Sequence, residues 1–139
     1  MKLTSFTNHS ITVLLLAARK KNQLLTVPQI SKSHNISKAI LVKILHRLKN
    51  ENYIQTFRGK KGGFCLKKKA DTIHLGDLIK YTEMSLNETM INFEEKKTSQ
   101  LNYFDQIKYE AFNAFIKKAN CYTIADLDEL VLTEDKHEK

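Results

Sequence analysis

The feature that most constrains the fold of this chain is a change in hydrophobic periodicity at Asn52. Before it, apolar residues repeat at helical spacing in three segments. After it, Tyr53–Phe57 is β-prone, a glycine-rich turn follows over Arg58–Gly63, and Phe64–Leu66 can return as a second strand. Three helices followed by a hairpin with a basic tip is the order of a winged helix-turn-helix. The sequence therefore predicts a mainly α fold in which a small β-hairpin forms the wing.

The first two helices are predicted from apolar spacing and from residues suited to cap a helix. Helix one is expected over His9–Lys21, with Asn8 or Thr7 accepting a free backbone N–H at its start. Helix two is expected over Pro28–His34. Thr26 stands three residues before a glutamine, which is the spacing of a capping box, and proline in the first turn loses no hydrogen bond there.

Helix three is predicted over Lys38–Glu51, with Ser37 as its N-cap. Its apolar residues fall within an arc of about 140° and are expected to face the core: Ile40, Leu41, Ile44, Leu45 and Leu48. The opposite face combines small, basic and hydrogen-bonding side chains, with two lysines at its margin: Ala39, Val42, Lys43, His46 and Asn50, flanked by Lys38 and Lys49. Such a face, behind a serine-capped N-terminus suited to a phosphate, is typical of a helix that reads the DNA major groove. A merely solvated helix face is the alternative interpretation.

Charge is distributed very unevenly along the 139 residues. Residues 1–70 contain 15 Lys+Arg and one acid, Glu51, whereas residues 71–139 contain 8 Lys+Arg and 14 Asp+Glu. Solubility alone favours mixed signs, so this imbalance indicates a polyanionic partner, namely nucleic acid. At the tip of the wing, Arg58, Lys60 and Lys61 lie between glycines and are predicted to meet phosphates or the minor groove. The glycines also suit a tight hairpin turn.

Other classes of protein find little support in the sequence. The longest apolar run, Val13–Ala18, is too short to span a bilayer, and no secretory signal is visible, so we expect a cytoplasmic protein. HExxH, GxSxG and GxGxxG motifs are lacking, which argues against an enzyme. Cys65 is interpreted as a small buried hydrophobe, and Cys121, beside a helix end, is the better candidate for a redox-active thiol. No metal site and no cofactor are predicted.

The second half of the chain is predicted to contain a short helix over Leu75–Tyr81, a polar loop over 83–100 and a long helix over Leu101–Lys118. Thr123 is expected to cap a last short helix, and the polar end from Thr133 is expected to fray. One side of the long helix is too rich in aromatic side chains to remain in water: Phe104, Ile107, Ala111, Phe112 and Phe115. The predicted divisions are a DNA-binding domain over 1–82, the loop over 83–100, and a dimerisation segment over 101–139.

Five stretches carry a resemblance to a known family: Met1–Thr7, Val42–Ile54, the wing Arg58–Gly63, Ile73–Asp77 and Tyr122–Leu127. Together they resemble the bacterial winged-helix regulators that include NsrR, IscR and CymR, and most closely the NsrR branch. The resemblance implies a homodimeric transcription regulator, usually a repressor, whose long C-terminal helix pairs with its twin. A two-fold dimer would present two recognition helices to half-sites about one helical turn apart, so the predicted partner is a palindromic operator of double-stranded DNA.

The resemblance fails at the family's sensor. The NsrR-like and IscR-like members hold an iron–sulfur cluster on three cysteines between the short helix and the long one. Residues 81–120 of this chain contain no cysteine, and thiolates are what such a cluster requires. We therefore predict a regulator without a cluster. The alternative hypothesis is an interaction or RNA-associated protein that uses the basic winged helix as a docking surface.

Overall fold

The computed structural model describes residues 2–84, 88 and 102–129. Their helices and strands follow in the order α1 (Ser5–Arg19), α2 (Val27–His34), α3 (Lys38–Asn50), β1 (Ile54–Phe57), β2 (Gly63–Leu66), a 3-10 turn (Ala70–Thr72), α4 (Leu75–Thr82) and α5 (Tyr103–Ala119). Residues 124–129 are also helical. A mainly α fold with one antiparallel hairpin was predicted and is confirmed.

The described residues form two compact units. One contains those of Met1–Ile73 and Thr123–Lys139, and the other contains those of His74–Tyr122. The first unit therefore holds α1 to α3 and the hairpin, together with residues 124–129. The second unit pairs α4 with α5. The units divide the chain after Ile73 and Tyr122, whereas the sequence placed its divisions at 82 and 100.

Helix α1 begins earlier than the sequence predicted. Thr4 is its N-cap, and the Thr4 hydroxyl accepts the N–H of Thr7 at 3.3 Å. The prediction of Thr7 or Asn8 as the cap is wrong, because Thr7 and Ser10 lie on the buried face of the first turns. The Ser10 hydroxyl donates a hydrogen bond to the carbonyl of Phe6 at 2.8 Å. Because these buried residues are polar, they add nothing to the apolar periodicity, and the sequence pattern does not predict the first turn of α1.

The core of the first unit lies where α1, α2 and α3 meet the inner face of the hairpin. Its fully buried side chains include Leu14, Ile30, Leu41, Ile44, Leu48, Ile54 and Phe64. The predicted inward face of α3 is confirmed at Leu41, Ile44 and Leu48, and Leu45 is half-buried. Ile40 is different: it is 40% exposed, so its assignment to the core is wrong. It stands in the first turn of α3, at the edge of the apolar arc.

The second unit is closed at one end by Asn120. Its carboxamide accepts the N–H of Asp77 at 2.8 Å and donates to the Asp77 carboxylate at 3.0 Å, and its carbonyl bonds with the His74 ring at 3.1 Å. Gly76 is buried against Asn120 and the carbonyl of Ile116, where a Cβ would collide. These contacts join the start of α4 to the end of α5.

Some predictions lie outside the described residues, namely most of the loop over 83–100, Leu101 and the polar end from Thr133. Within the part that the structure describes, no helix is long and apolar enough to cross a membrane. The predicted last helix is confirmed over 124–129. Thr123 caps it reciprocally: the Thr123 hydroxyl accepts the N–H of Asp126 at 3.3 Å, and the Asp126 carboxylate accepts the N–H of Thr123 at 2.8 Å.

Candidate nucleic-acid interface

The exposed face of α3 is built from the N-terminal end of the helix downward. Ser37 caps the helix, and its hydroxyl accepts the N–H of Ile40 at 3.2 Å. No acidic residue stands in the first turn, so the positive end of the helix dipole is left for an external anion. The candidate residues of this helix are all exposed: Ser37, Lys38, Ala39, Val42, Lys43 and His46.

Apolar surface is part of this face as well. Val42 is 57% exposed and Ile40 is 40% exposed, both between lysines. The sequence prediction missed Ile40, because hydrophobicity alone placed it in the core. Its position at the margin of the apolar arc, one residue from the exposed Ala39, was the available signal. Branched apolar side chains on such a helix can contact the methyl group of thymine.

Helix α2 begins beside the wing. The capping box predicted from its sequence is confirmed: the hydroxyl of Thr26 accepts the N–H of Gln29 at 3.4 Å, and the Gln29 side chain accepts the N–H of Thr26 at 3.0 Å. Thr26 also lines a small cavity of about 290 Å³ together with Leu45 of α3 and Gly59 of the wing. The structure thus brings Thr26 close to both elements that carry the other candidate residues.

The wing is an antiparallel hairpin in which Ile54 pairs with Leu66 and Phe57 with Gly63. Arg58, Lys60 and Lys61 are exposed at its tip, as the sequence predicted. Gly59 has a φ of +105°, which L side chains rarely adopt, so glycine is required for the turn. No side chain at Gly59 or Gly62 widens the loop between the three cations.

Two backbone hydrogen bonds fix the wing to the start of α2. Leu25 donates to the carbonyl of Phe64 at 2.9 Å, and Phe64 donates to the carbonyl of Leu25 at 2.8 Å. Gly63, next to this pair, lies so close to the Leu25 carbonyl that a Cβ would collide with it. The base of the wing is therefore held at a fixed position against the helices that precede it.

The electrostatic character of this surface is almost purely cationic. The single acid of residues 1–70, Glu51, is the C-cap of α3, which puts it about 20 Å along the helix from the Ser37 end at 1.5 Å per residue. Lys38 and Lys43 have no carboxylate partner among the described residues. Arg47 is held differently, since it is half-buried with its guanidinium 6.0 Å from the centre of the Phe6 ring.

The long helix α5 exposes part of its predicted apolar stripe and buries the rest. Phe104 is 64% exposed, and Ile107 is 45% exposed. Ala111 is exposed and Phe115 half-buried, whereas Phe112 is buried inside its own unit, where its ring stacks 6.2 Å from that of Phe115. Tyr103, which the sequence pattern did not single out, is 79% exposed, the highest value among the exposed large hydrophobic side chains of the described residues.

The two cysteines lie in different units. Cys65, on β2, is half-buried and accepts a weak hydrogen bond from Gln55 at 3.5 Å, so the prediction of a buried residue is wrong. It stands on the outward side of the hairpin, opposite the face that enters the core. Cys121 is exposed after α5, and its Sγ lies 3.6 Å from the carbonyl of Lys117.

An iron–sulfur cluster does not fit the residues of this chain. The sequence offers only two cysteines, and such clusters are held by about four protein ligands, commonly thiolates. No three His, Cys, Asp or Glu residues of the described segments stand close enough together to hold a metal ion. Each chain therefore supplies two thiolates, fewer than the three that the family resemblance implies for a cluster.

Comparison with known proteins connects this geometry to a family. Residues 3–134 match the model of the Rrf2 family, described as an iron-dependent transcriptional regulator. The chain is 35% identical over 139 residues to the HTH-type transcriptional regulator NsrR of Shouchella clausii, covering 97% of this chain and 91% of that protein. It is 33% identical over 131 residues to NsrR of Bacillus licheniformis, covering 91% and 92% respectively.

Solved structures show the same fold. The oxidised form of CymR from Staphylococcus aureus matches with a TM-score of 0.70 and 24% identity, over 93% of this chain and 97% of that one. The IscR of T. potens matches with a TM-score of 0.75 and 16% identity, over 94% and 88%. The relatives are transcriptional regulators, a function other than catalysis, which confirms the sequence prediction of a regulator rather than an enzyme.

Proposed function

Because this chain belongs to the Rrf2 family of transcriptional regulators, we propose that it acts in the cytoplasm as a homodimeric repressor on an inverted repeat of double-stranded DNA. The observation that carries the proposal is the exposed face of α3. That face has an N-terminus without acids, two exposed lysines and two exposed branched apolar side chains, and it lies next to a cationic wing.

The face of α3 suits a major groove in its detailed chemistry. Lys43 and His46 are long enough to reach hydrogen-bonding atoms on base edges, and Ala39 and Val42 can contact thymine methyl groups. Ser37 and Lys38, at the start of the helix, suit a phosphate, as does Thr26 at the start of α2. In this proposal the first turns of α3 enter the groove, and α2 crosses the backbone.

The wing contributes contacts of a different kind. Arg58, Lys60 and Lys61 form a narrow cationic loop that can follow the phosphates or enter the adjacent minor groove. Since phosphates carry no direct sequence information, these side chains position the protein rather than select the operator. Selection is then the task of α3.

Dimerisation is proposed through α5. Phe104 and Ile107 leave a large apolar surface in water on a single chain, and such a patch is typical of a protein interface. Ala111 and Phe115 continue the same side of the helix, and a second copy of α5 is the partner that family membership supports. Phe112 belongs to the predicted interface set too, but its burial within one chain gives it a role in holding the protomer together.

Operator symmetry provides the test of this proposal. A two-fold dimer requires half-sites about one helical turn apart. Once the operator is found by footprinting the intergenic DNA beside the gene, inserting 5 base pairs between its halves should lower the affinity to that of a single half-site, because the halves then face opposite sides of the duplex. An insertion of 10 base pairs is the matched control.

Two results would contradict the proposal. Affinity that is unaffected by the 5-base-pair insertion would show that the protein does not bind as a two-fold dimer. Equal affinity for every duplex together with a preference for single strands would instead support the alternative, an RNA-associated or interaction module.

We propose further that the regulator works without an iron–sulfur cluster. Protein purified anaerobically should contain neither stoichiometric iron nor labile sulfide, and its operator affinity should equal that of protein purified in air, because the ligands needed for a cluster are lacking. The measurement is an iron and sulfide assay with a visible spectrum. Stoichiometric iron and sulfide, with absorbance lost on exposure to nitric oxide, would overturn this part of the proposal.

A further inference from the structure

The first unit contains a cavity of about 900 Å³ whose lining includes none of the candidate DNA-contact residues. One wall is the outward face of the hairpin, where Gln55 stands opposite Cys65 in the strand register and Phe57 follows. The other walls are the end of α1, the segment after β2, and residues 125–129. Cavities that hold small organic ligands commonly have volumes of about 300 to 1,000 Å³.

Five lysines line this cavity. Its lysines come from the turn after α1 and from the segment after β2: Lys20, Lys21, Lys67, Lys68 and Lys69. Three carboxylates also line it, but that of Asp128 is occupied by an ion pair with Arg19.

Several of the lysines are available to a ligand. Lys67 donates to the side chain of Asn52 at 3.0 Å, and Lys68 lies 4.3 Å above the ring of Tyr53. The other three, Lys20, Lys21 and Lys69, are exposed and have no ion-pair partner among the residues that the structure describes.

Part of the lining of the cavity is apolar. Ala17 and Ala18 of α1 form part of it, and the hairpin supplies Leu66 and the ring of Phe57, which is 49% exposed. An exposed phenylalanine and several lysines in the lining of one cavity combine two recognition chemistries. Apolar surface retains a ring or short chain, and ammonium groups bind an anion as point charges.

We propose that this cavity binds a small organic anion in which a carboxylate, phosphate or sulfonate is joined to an aromatic ring or a short apolar chain. The apolar part lies against Phe57 and the alanines of α1, and the anionic group lies among Lys20, Lys21 and Lys69. The site itself stands independently of the proposed function.

One consequence does depend on the proposed function. Because Phe57 and Gln55 belong to a strand of the wing, a ligand in the cavity contacts the element proposed to bind DNA. Ligand and operator then influence each other's affinity by the same factor, as thermodynamic linkage requires. The cavity would in this way supply an effector site to a regulator that lacks the family's cluster ligands.

The binding test uses two fluorescent probes that share a ring system. 1-Anilinonaphthalene-8-sulfonate carries a sulfonate, and N-phenyl-1-naphthylamine is the same molecule without it. We expect saturable binding of the sulfonate probe and at least tenfold weaker binding of the neutral probe.

The double variant Lys21→Ala/Lys69→Ala should lower affinity for the sulfonate about tenfold, which corresponds to roughly 1.4 kcal/mol. The matched control is Lys80→Ala/Lys117→Ala, which removes two exposed lysines of the second unit.

Thiol protection reports where the probe binds. Cys65 lines the cavity and Cys121 belongs to the other unit, so the sulfonate probe should slow alkylation of Cys65 by iodoacetamide at least fivefold and leave Cys121 unchanged. Equal affinity of the two double variants, equal binding of the two probes, or unprotected Cys65 would overturn the site. Protection of Cys65 by a DNA duplex but not by the probe would also overturn it, in favour of a DNA-contact surface.

The consequence for regulation has a separate readout. Saturating sulfonate probe should change operator affinity at least threefold in the native sequence and not in Lys21→Ala/Lys69→Ala. An unchanged affinity would overturn the coupling. The probe titrations and the alkylation of Cys65 in the presence of the probe contain no DNA, so failure of the operator experiments would not count against ligand binding in the cavity.

Discussion

Helices α3 and α5 both keep apolar side chains in water, but the charges around those side chains differ. On α3, Ile40 and Val42 stand among lysines, and the helix has no acidic residue. On α5, Phe104 and Ile107 stand between residues of both signs, including Asp105 and its ion-pair partner Lys108 at 2.9 Å. Exposed apolar surface is therefore ambiguous by itself, and the surrounding field indicates whether the partner is a polyanion or another protein.

The largest expected effect is a difference in salt dependence between DNA binding by α3 and dimerisation through α5. Operator affinity should fall about 10³-fold or more between 50 and 200 mM salt, because a protein with several phosphate contacts releases condensed counterions. Dimerisation through α5 should change little over the same range, since apolar contacts are not screened. Fluorescence anisotropy measures the first and sedimentation velocity the second. A dimer that dissociates as steeply as the DNA complex would show that the two surfaces do not differ in kind.

The same substitution placed on each helix tests the comparison directly. Phe104→Asp should weaken the dimer roughly 150- to 5,000-fold, because an uncompensated buried charge costs about 3 to 5 kcal/mol, and DNA affinity should fall with it. Val42→Asp should lower DNA affinity by repelling phosphates while the dimer stays intact.

Gln106→Asp, which places the charge on the opposite side of α5, is the control for the interface. A monomeric Val42→Asp variant, or a Phe104→Asp variant that remains a dimer at micromolar concentration, would contradict the assignment of the two helices.

The smallest effects distinguish the helix from the wing. Lys43→Ala or His46→Ala should cost roughly 1 to 3 kcal/mol on the operator and less on random duplexes, because a lost base contact affects only the cognate site. Lys60→Ala or Lys61→Ala should weaken both kinds of duplex alike, by a few-fold. Competition titrations with operator and random DNA measure the difference. The same uniform loss from helix and wing variants would remove the assignment of base recognition to α3.

Much of the fold was predictable because local chemistry determines it. The sequence predicted the caps at Thr26 and Ser37, the helical period of α3 and the glycine-rich turn of the wing, and the structure has each of them. The errors share a cause as well. Thr7 is polar but buried, and Ile40 is apolar but exposed. Only the neighbouring helices decide those two cases, and neighbours are not visible in a single segment.

The candidate sites divide in the same way. Exposed cations on α3 and at the wing tip were predictable from the sequence, because lysine and arginine are seldom buried. The cavity beside β2 was not, since Lys20 and Lys69 are far apart in the chain and only the folded structure brings both into the lining of one cavity. The burial of Phe112 could not be predicted from a helical wheel, because it depends on how α5 packs on α4.

The paired hydrogen bonds between Leu25 and Phe64 determine how this protein can respond to DNA shape. They fix the base of the wing near α2, so the separation between the wing tip and α3 has little freedom to adjust to a wider or narrower duplex. The duplex must make the adjustment instead, at an elastic cost that depends on its sequence. Base pairs that no side chain touches would consequently influence affinity, and stiffness of the DNA becomes one of the properties by which this regulator selects its operator.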